Sequence, residues 1–177
     1  KLFNLMNFKK FSFFLLILIF LTPVKSEELE ILETKHQYSL YAGTFDTINE
    51  DGEHKTGLMG FEHKNINLFR NTILGKFRPV SGGFVSGKSS IYLYTGVEAE
   101  YGIGALKIKP SFSPGYYEKG NGKNLGGALE FKSEIKFDLD IFKSSKIGYS
   151  YSHISNNNWG TINPGIDNQQ ISFSKNF

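Results

Sequence analysis

The feature that most constrains this chain is a strict alternation of apolar and charged residues. From Leu129 to Leu139, the residues Leu129, Phe131, Ile135, Phe137 and Leu139 fall on one parity, and Glu130, Lys132, Glu134, Lys136 and Asp138 on the other. A period of two places the two sets on opposite faces of an extended strand. Residues 90 to 101 repeat the pattern, with Ile91, Leu93, Val97, Ala99 and Tyr101 against Tyr92, Tyr94, Glu98 and Glu100. Between these segments Leu106, Ile108 and Phe112 alternate with Lys107, Lys109 and Ser111. Beyond Glu27 there is little sustained helical periodicity, and clusters of Gly, Asn, Ser and Pro break the alternation at short intervals. The fold class is therefore all-β.

Two all-β solutions suit such strands, and they differ in which face is inside. A soluble sandwich or lipocalin buries the apolar face and solvates the charges. A transmembrane barrel inverts this, turning apolar side chains to lipid and filling a polar lumen with charges that compensate one another. Acids and bases are nearly balanced on the charged faces, which favours pairing in a lumen. The aromatic content of 15% is that of a barrel with girdles at both interfaces. At the C-terminus Ile171, Phe173 and Phe177 share one face against Ser172, Ser174 and Asn176, and a terminal Phe on an amphipathic strand resembles the assembly signal of bacterial outer-membrane barrels. Lys175 interrupts that apolar face. About eight strands are expected, near 36–46, 55–64, 75–85, 89–101, 104–113, 125–139, 145–155 and 166–177, each about 10 residues long as a tilted crossing requires. Strands of this number close into an antiparallel eight-stranded transmembrane β-barrel whose loops after strands one, three, five and seven face outward. The segment Ser113 to Gly127 reads as the longest of these loops.

The N-terminus agrees with export. Lys9 and Lys10 precede an apolar run from Phe11 to Thr22, followed by Pro23, Val24, Lys25 and Ser26, the order of a secretory signal. The run is shorter than the roughly 20 apolar residues of a spanning helix. Translation from Met6 and cleavage after Ser26 would leave residues 27–177 as the barrel domain. Four of the 20 basic residues and none of the 17 acids lie in residues 1–26, so the remainder carries a net charge of −1 where the whole chain carries +3. The basic balance belongs to the signal and gives no support to a nucleic-acid partner. With no cysteine in 177 residues, disulfides and thiol chemistry are excluded.

The residues that carry chemistry lie in the last two strands. Ile147, Tyr149, Tyr151, His153 and Ser155 share one parity, and Gly148, Ser150 and Ser152 the other. If the small polar face is luminal, His153 and Ser155 point to lipid, near the outer rim. Asp167 shares the parity of Ile171, Phe173 and Phe177 and so reaches the same side. A serine hydroxyl becomes a nucleophile when a base accepts its proton, and a carboxylate that fixes the base's tautomer improves it. Asn156, Asn163 and the backbone N–H groups of residues 157 to 160 are candidate oxyanion donors or positioning groups. Polar groups at the lipid face are tolerable near the rim, where a charge costs about 0–1 kcal/mol.

The run SHISNNN, then NPG and an acid, preceded by SPGYY, GNGKNLGG and LEFKSEI, resembles the PagL-type lipid A 3-O-deacylases, over roughly residues 90–177. The resemblance implies an outer-membrane barrel with His153 as base, Ser155 as nucleophile and an acid at Asp167, where the family more often carries glutamate. It places the family's asparagines on Asn156 and Asn163, in an oxyanion or positioning role. It implies lipid A, or lipopolysaccharide, as substrate, removal of an ester-linked 3-hydroxyacyl chain as reaction, and neither cofactor nor metal. The oligomeric state is left open, with a homodimer among the possibilities.

Other residues read more simply. His36, His54 and His63 lack ligand spacing and are surface or lumen residues. Asn156 to Asn158 suit a turn as well as a site. Trp159 and Tyr151 read as interface anchors. Lys119 and Lys123 read as solvated loop residues. Gly96, Gly102 and Gly104 read as barrel bends, since no helix follows to make a phosphate cradle. Two rival functions remain, a non-catalytic structural or adhesive barrel and a soluble lipocalin-type carrier. Sequencing the N-terminus of the membrane-assembled protein is expected to begin at Glu27; a retained apolar run would identify an anchor instead.

Overall fold

A computed structural model describes residues 35–48 and 52–177, so the expected signal over residues 1–26 lies outside the described residues. Ten strands follow in order: β1 (His36–Phe45), β2 (Thr56–Asn65), β3 (Arg70–Thr72), β4 (Gly75–Ser86), β5 (Ile91–Ala99), β6 (Tyr101–Ile103), β7 (Leu106–Glu118), β8 (Leu129–Phe142), β9 (Ser145–Ser155) and β10 (Ile166–Asn176). The described residues contain no helix. The eight long strands pair antiparallel in the ring β1-β2-β4-β5-β7-β8-β9-β10 and back to β1, with β3 and β6 as short additions. Closure leaves none of the eight with an open edge, which is what the hydrocarbon of a bilayer demands.

Faces follow parity as the alternation requires. On β8, Glu130, Lys132, Glu134, Lys136 and Asp138 are buried in the lumen, while Leu129, Ile135, Phe137 and Leu139 are exposed on the outside. On β10, Ser172 and Ser174 are luminal and Ile171 and Phe173 face out, with Phe177 exposed just past the strand. The luminal charges pair closely. Glu62 meets Lys136 at 2.8 Å and Lys64 at 3.1 Å, Lys64 reaches Glu98 at 2.5 Å, and Lys109 meets Asp138 at 2.7 Å. The Glu62–Lys136 contact joins β2 to β8, which stand opposite each other in the ring, so it ties the barrel across its diameter.

The alternation does not foreshadow the apolar plug at one end of this lumen. Phe45, Leu58, Phe84, Tyr92, Ile154 and Ile166 are buried together, joined by Leu125 from the 119–128 connection. These side chains have luminal parity, so the interior is charged through part of its length and apolar toward the mouth. Tyr92 and Tyr94 need bare backbone beside them: a Cβ on Gly115 would lie 2.6 Å from the Tyr92 ring, and one on Gly82 would lie 2.8 Å from the Tyr94 hydroxyl.

Several expected boundaries move. The strand expected to stop at residue 113 continues to Glu118, and the supposed long loop from Ser113 shrinks to residues 119–128. Pro114 does not end the strand. Its neighbours pair across to β8, and on the β5 side the ladder steps from Tyr94–Gly115 to Val97–Phe112, passing over the position where proline has no N–H to give. The strand expected over 89–101 breaks at Glu100, and Ala99, which keeps the parity of Val97, is buried. The strand expected from 125 starts at Leu129, with Ala128 O still accepting the Tyr117 N–H at 2.7 Å, because Leu125 turns off the ladder to join the buried apolar cluster.

Replacing Glu62 with Gln keeps the shape but leaves Lys64 and Lys136 facing a neutral amide. Breaking such a buried pair costs about 3–5 kcal/mol. Equilibrium unfolding of the detergent-solubilised barrel in urea is expected to show a loss of that size, and a midpoint unchanged from the parent would contradict the diametric tie.

Candidate active site

The ends of β1 and β2 near residues 46–48 and 52–55 and the connections 87–90, 119–128 and 156–165 gather at one rim, and the site forms where β9 enters the last of them. Antiparallel register sets Asp167 of β10 directly opposite His153 of β9, and Ser133 of β8 opposite His153 on its other side. Direct cross-strand neighbours have Cβ atoms about 4.5–5.5 Å apart. The imidazole and the carboxylate meet at 2.9 Å between His153 Nδ1 and Asp167 Oδ1. A carboxylate only accepts, so Nδ1 carries the proton and, in the neutral ring, Nε2 carries the lone pair. His153 is 47% exposed and Asp167 24%, both on the lipid-facing side. Ser155, half-buried and last in β9, lies two residues toward the rim, about 7 Å along the strand. No hydrogen bond joins it to the ring among the described residues.

The free edge of the imidazole is fixed by Gly165. A Cβ there would sit 2.7 Å from His153 Cε1 and 3.2 Å from Nε2, and the residue has φ +64°, so both space and backbone conformation call for glycine. Nε2 therefore lies toward the 156–165 connection, away from Ser133.

Tyr151 was expected to be an interface anchor, and its ring does lie on the outer face. Its hydroxyl, however, donates to Asp167 Oδ1 at 2.5 Å, the same oxygen that accepts from His153. Parity placed Tyr151 on the right face, but only register shows that its hydroxyl reaches the acid.

Asn156 turns inward. Its side chain is 1% exposed. Its Nδ2 donates to Leu125 O at 2.6 Å and Ile162 O at 2.8 Å, with Glu130 Oε1 at 3.5 Å. Its backbone N–H is taken by Asn163 Oδ1 at 3.0 Å, while Asn163 Nδ2 donates to Asn158 Oδ1 at 3.3 Å. Asn157 and Asn158 take left-handed φ of 55° and 61°, and Trp159 N closes the turn on Asn156 O at 3.0 Å. Turn and tether thus coexist, and Asn156 ties the mouth connections 119–128 and 156–165 together.

An aromatic row borders Ser155. Phe131, opposite Ser155 in register, stacks with Phe112 at 5.9 Å and meets the edge of Trp159 at 5.2 Å. Beside it a hollow of about 460 Å³ opens between the two connections, lined by Gly126, Gly127, Trp159, Gly160 and Thr161. Lys123 is not left to solvent: its ammonium meets Asp46 at 3.1 Å. Toward the membrane interior the outer face becomes apolar within two rows, at Ile171 and Phe173. Among the described residues no group of three or more His, Cys, Asp or Glu is arranged to hold a metal.

Fold and site together define a small closed barrel of the outer-membrane type with an acid–base cluster on its lipid face. The family model described as lipid A 3-O-deacylase (PagL) matches residues 34–176, and the chain belongs to that family. It is by family a lipid A deacylase of the outer membrane. The match reaches well upstream of the region from residue 90 in which the motifs were evident. The chain is similar in fold to a structure titled "Crystal structure of the outer membrane enzyme PagL", with TM-score 0.59 and 18% identity, over 78% of this chain and 98% of that one. It is also similar to structures from "De novo design of transmembrane beta-barrels" (TM-score 0.52, 10% identity, 80% and 95% covered) and of the de novo designed TMB2.3 in solution (TM-score 0.53, 13% identity, 80% and 93% covered). No curated protein matches the sequence.

A methyl group at residue 165 has no room beside the ring. In a crystal structure of Gly165→Ala, His153 is expected to be displaced and its hydrogen bond to Asp167 broken. A ring still 2.9 Å from Oδ1 would mean that the connection yields instead.

Proposed function

We propose that this barrel hydrolyses the ester-linked 3-hydroxyacyl chain of lipid A by a serine mechanism, with Ser155 as nucleophile, His153 as base and Asp167 as the acid that orients it. The observation that carries the reading is the Nδ1–Oδ1 contact of His153 and Asp167 on the lipid face at the outer rim, with Ser155 on the same face two residues away. A carboxylate and an imidazole on this surface disfavour contact with hydrocarbon, and a role on a substrate in the outer leaflet accounts for their position.

The chemistry runs in two halves. Nε2 accepts the Ser155 proton as Oγ attacks the ester carbonyl, and the imidazolium that forms is stabilised by Asp167. The imidazolium then protonates the sugar oxygen as its bond to the acyl carbon breaks, so the sugar leaves with a free hydroxyl and the acyl group stays on Ser155. Water, deprotonated by Nε2, attacks the acyl-enzyme, releasing a 3-hydroxy fatty acid and restoring Ser155. Lipid A with one free hydroxyl remains in the leaflet. The apolar wall at Ile171 and Phe173 lies where the acyl chain descends, and the rim lies level with the sugars. Asn156 and Asn163 act as positioning residues, because the side chain of the first is spent on Leu125 and Ile162 and the oxygen of the second on the Asn156 N–H.

Mass spectrometry of lipid A from cells expressing the protein is expected to show the loss of one hydroxyacyl mass. Ser155→Ala and His153→Ala, both assembled in the outer membrane, are expected to reduce the rate at least about a thousandfold. Unchanged lipid A with all three proteins assembled would favour the non-catalytic barrel, for which the absence of a Ser155–His153 hydrogen bond is the structural argument.

A further inference from the structure

Among the outward-facing aromatics of β9, Tyr149 and Tyr151 differ in what their hydroxyls do. An interfacial tyrosine ordinarily offers its hydroxyl to water and headgroups. Tyr151 instead gives its proton to Asp167 Oδ1 at 2.5 Å, the oxygen that also receives His153 Nδ1–H at 2.9 Å. Its direct partner across the ladder is Gln169, so the contact with Asp167 is diagonal. Such diagonal neighbours are about 7–8 Å apart, a gap that a phenol spans.

We propose that Tyr151 is a positioning residue of the hydrolytic site, holding the Asp167 carboxylate in the rotamer that faces His153. This rests on the deacylase reading given above for Ser155, His153 and Asp167. Asp167 is the second residue of β10, close to the strand's end, and its side chain is partly exposed. A carboxylate there gains by rotating out to water, and rotation would leave the imidazolium of the transition state without its counter-charge. A charge-assisted O–H···O⁻ bond from a ring seated on the neighbouring strand opposes that rotation. The register makes the arrangement compact: one oxygen takes both donors, so the tyrosine that fixes the acid also fixes the direction from which His153 is met. Tyr151 touches neither the nucleophile nor the ester, and its effect passes through Asp167 alone.

Tyr151→Phe keeps the ring and removes the bond. Two rates are followed in detergent with the full barrel, whose assembly is checked by heat-modifiable migration. The first is labelling of Ser155 by a fluorophosphonate, which reports an activated serine whatever the natural substrate; the second is turnover of lipid A. A hydrogen bond to a charged group is worth about 1.5–3 kcal/mol, or roughly ten- to a hundredfold in rate. Tyr151→Phe is expected to lower labelling and kcat by at least tenfold with KM unchanged, whereas Tyr149→Phe leaves both intact. In an Asp167→Ala background, followed by intact mass over longer incubations, Tyr151→Phe is expected to have no further effect. Equal labelling of parent and Tyr151→Phe, or a full additional loss without Asp167, would overturn the proposal. If the parent labels while lipid A is untouched, the deacylase reading fails and the labelling cycle alone decides Tyr151. If lipid A is cleaved and the two losses add, the deacylase stands and Tyr151 is an anchor. A parent that neither labels nor cleaves overturns both.

Discussion

Every backbone N–H and C=O that enters hydrocarbon must find a partner within the protein, and the remainder of this structure depends on how that demand is met. Eight strands meet it by closing, β1 onto β10 on one side and β2 onto β4 on the other. Closure decides the rest of the sorting. One face of each strand is turned to lipid, and the other is confined to a lumen too narrow to be left as bulk water. Charges in that lumen are viable only in pairs, and the pairs found there span neighbours, as Lys109 with Asp138, and opposite walls, as Glu62 with Lys136.

The lumen also supports the site at its mouth. Leu125 descends into the apolar plug with Ile154 and Ile166, and the 119–128 connection that carries it accepts a hydrogen bond from Asn156. Ile154 lies between His153 and Ser155 in sequence and on the opposite face of the same strand. Packing on the inside therefore fixes the pleat that presents the histidine and serine outside. Glu130, buried beneath Asn156, belongs to the same support.

On the outside the controlling quantity is register. A slip of one residue between β9 and β10 would send Asp167 into the lumen while leaving His153 in lipid. A slip of two would separate them along the barrel by about 7 Å. The observed pairing places the His153 ring and the Tyr151 hydroxyl both within hydrogen-bond reach of Asp167, near one rim of the barrel. The proposed acid–base cluster thus draws its side chains from two adjacent strands and its space from a glycine, Gly165, that leaves the ring its place.

What the sequence determined by itself was what period two can carry: an all-β chain, the polar and apolar faces of β8, β9 and β10, and the outward parity of His153, Ser155 and Asp167. Side-chain direction in a strand is a local property, so it is legible residue by residue. Where strands end was less legible, because Pro114 looks like a breaker until its position in the ladder is known. The tertiary structure alone decided that Phe45, Phe84 and Leu125 converge on Ile154, that Asn156 is spent on Leu125, and that Tyr151 reaches Asp167. Each of these is a contact between segments distant in sequence or across a strand pair, and its existence depends on barrel closure and register, which no local pattern encodes.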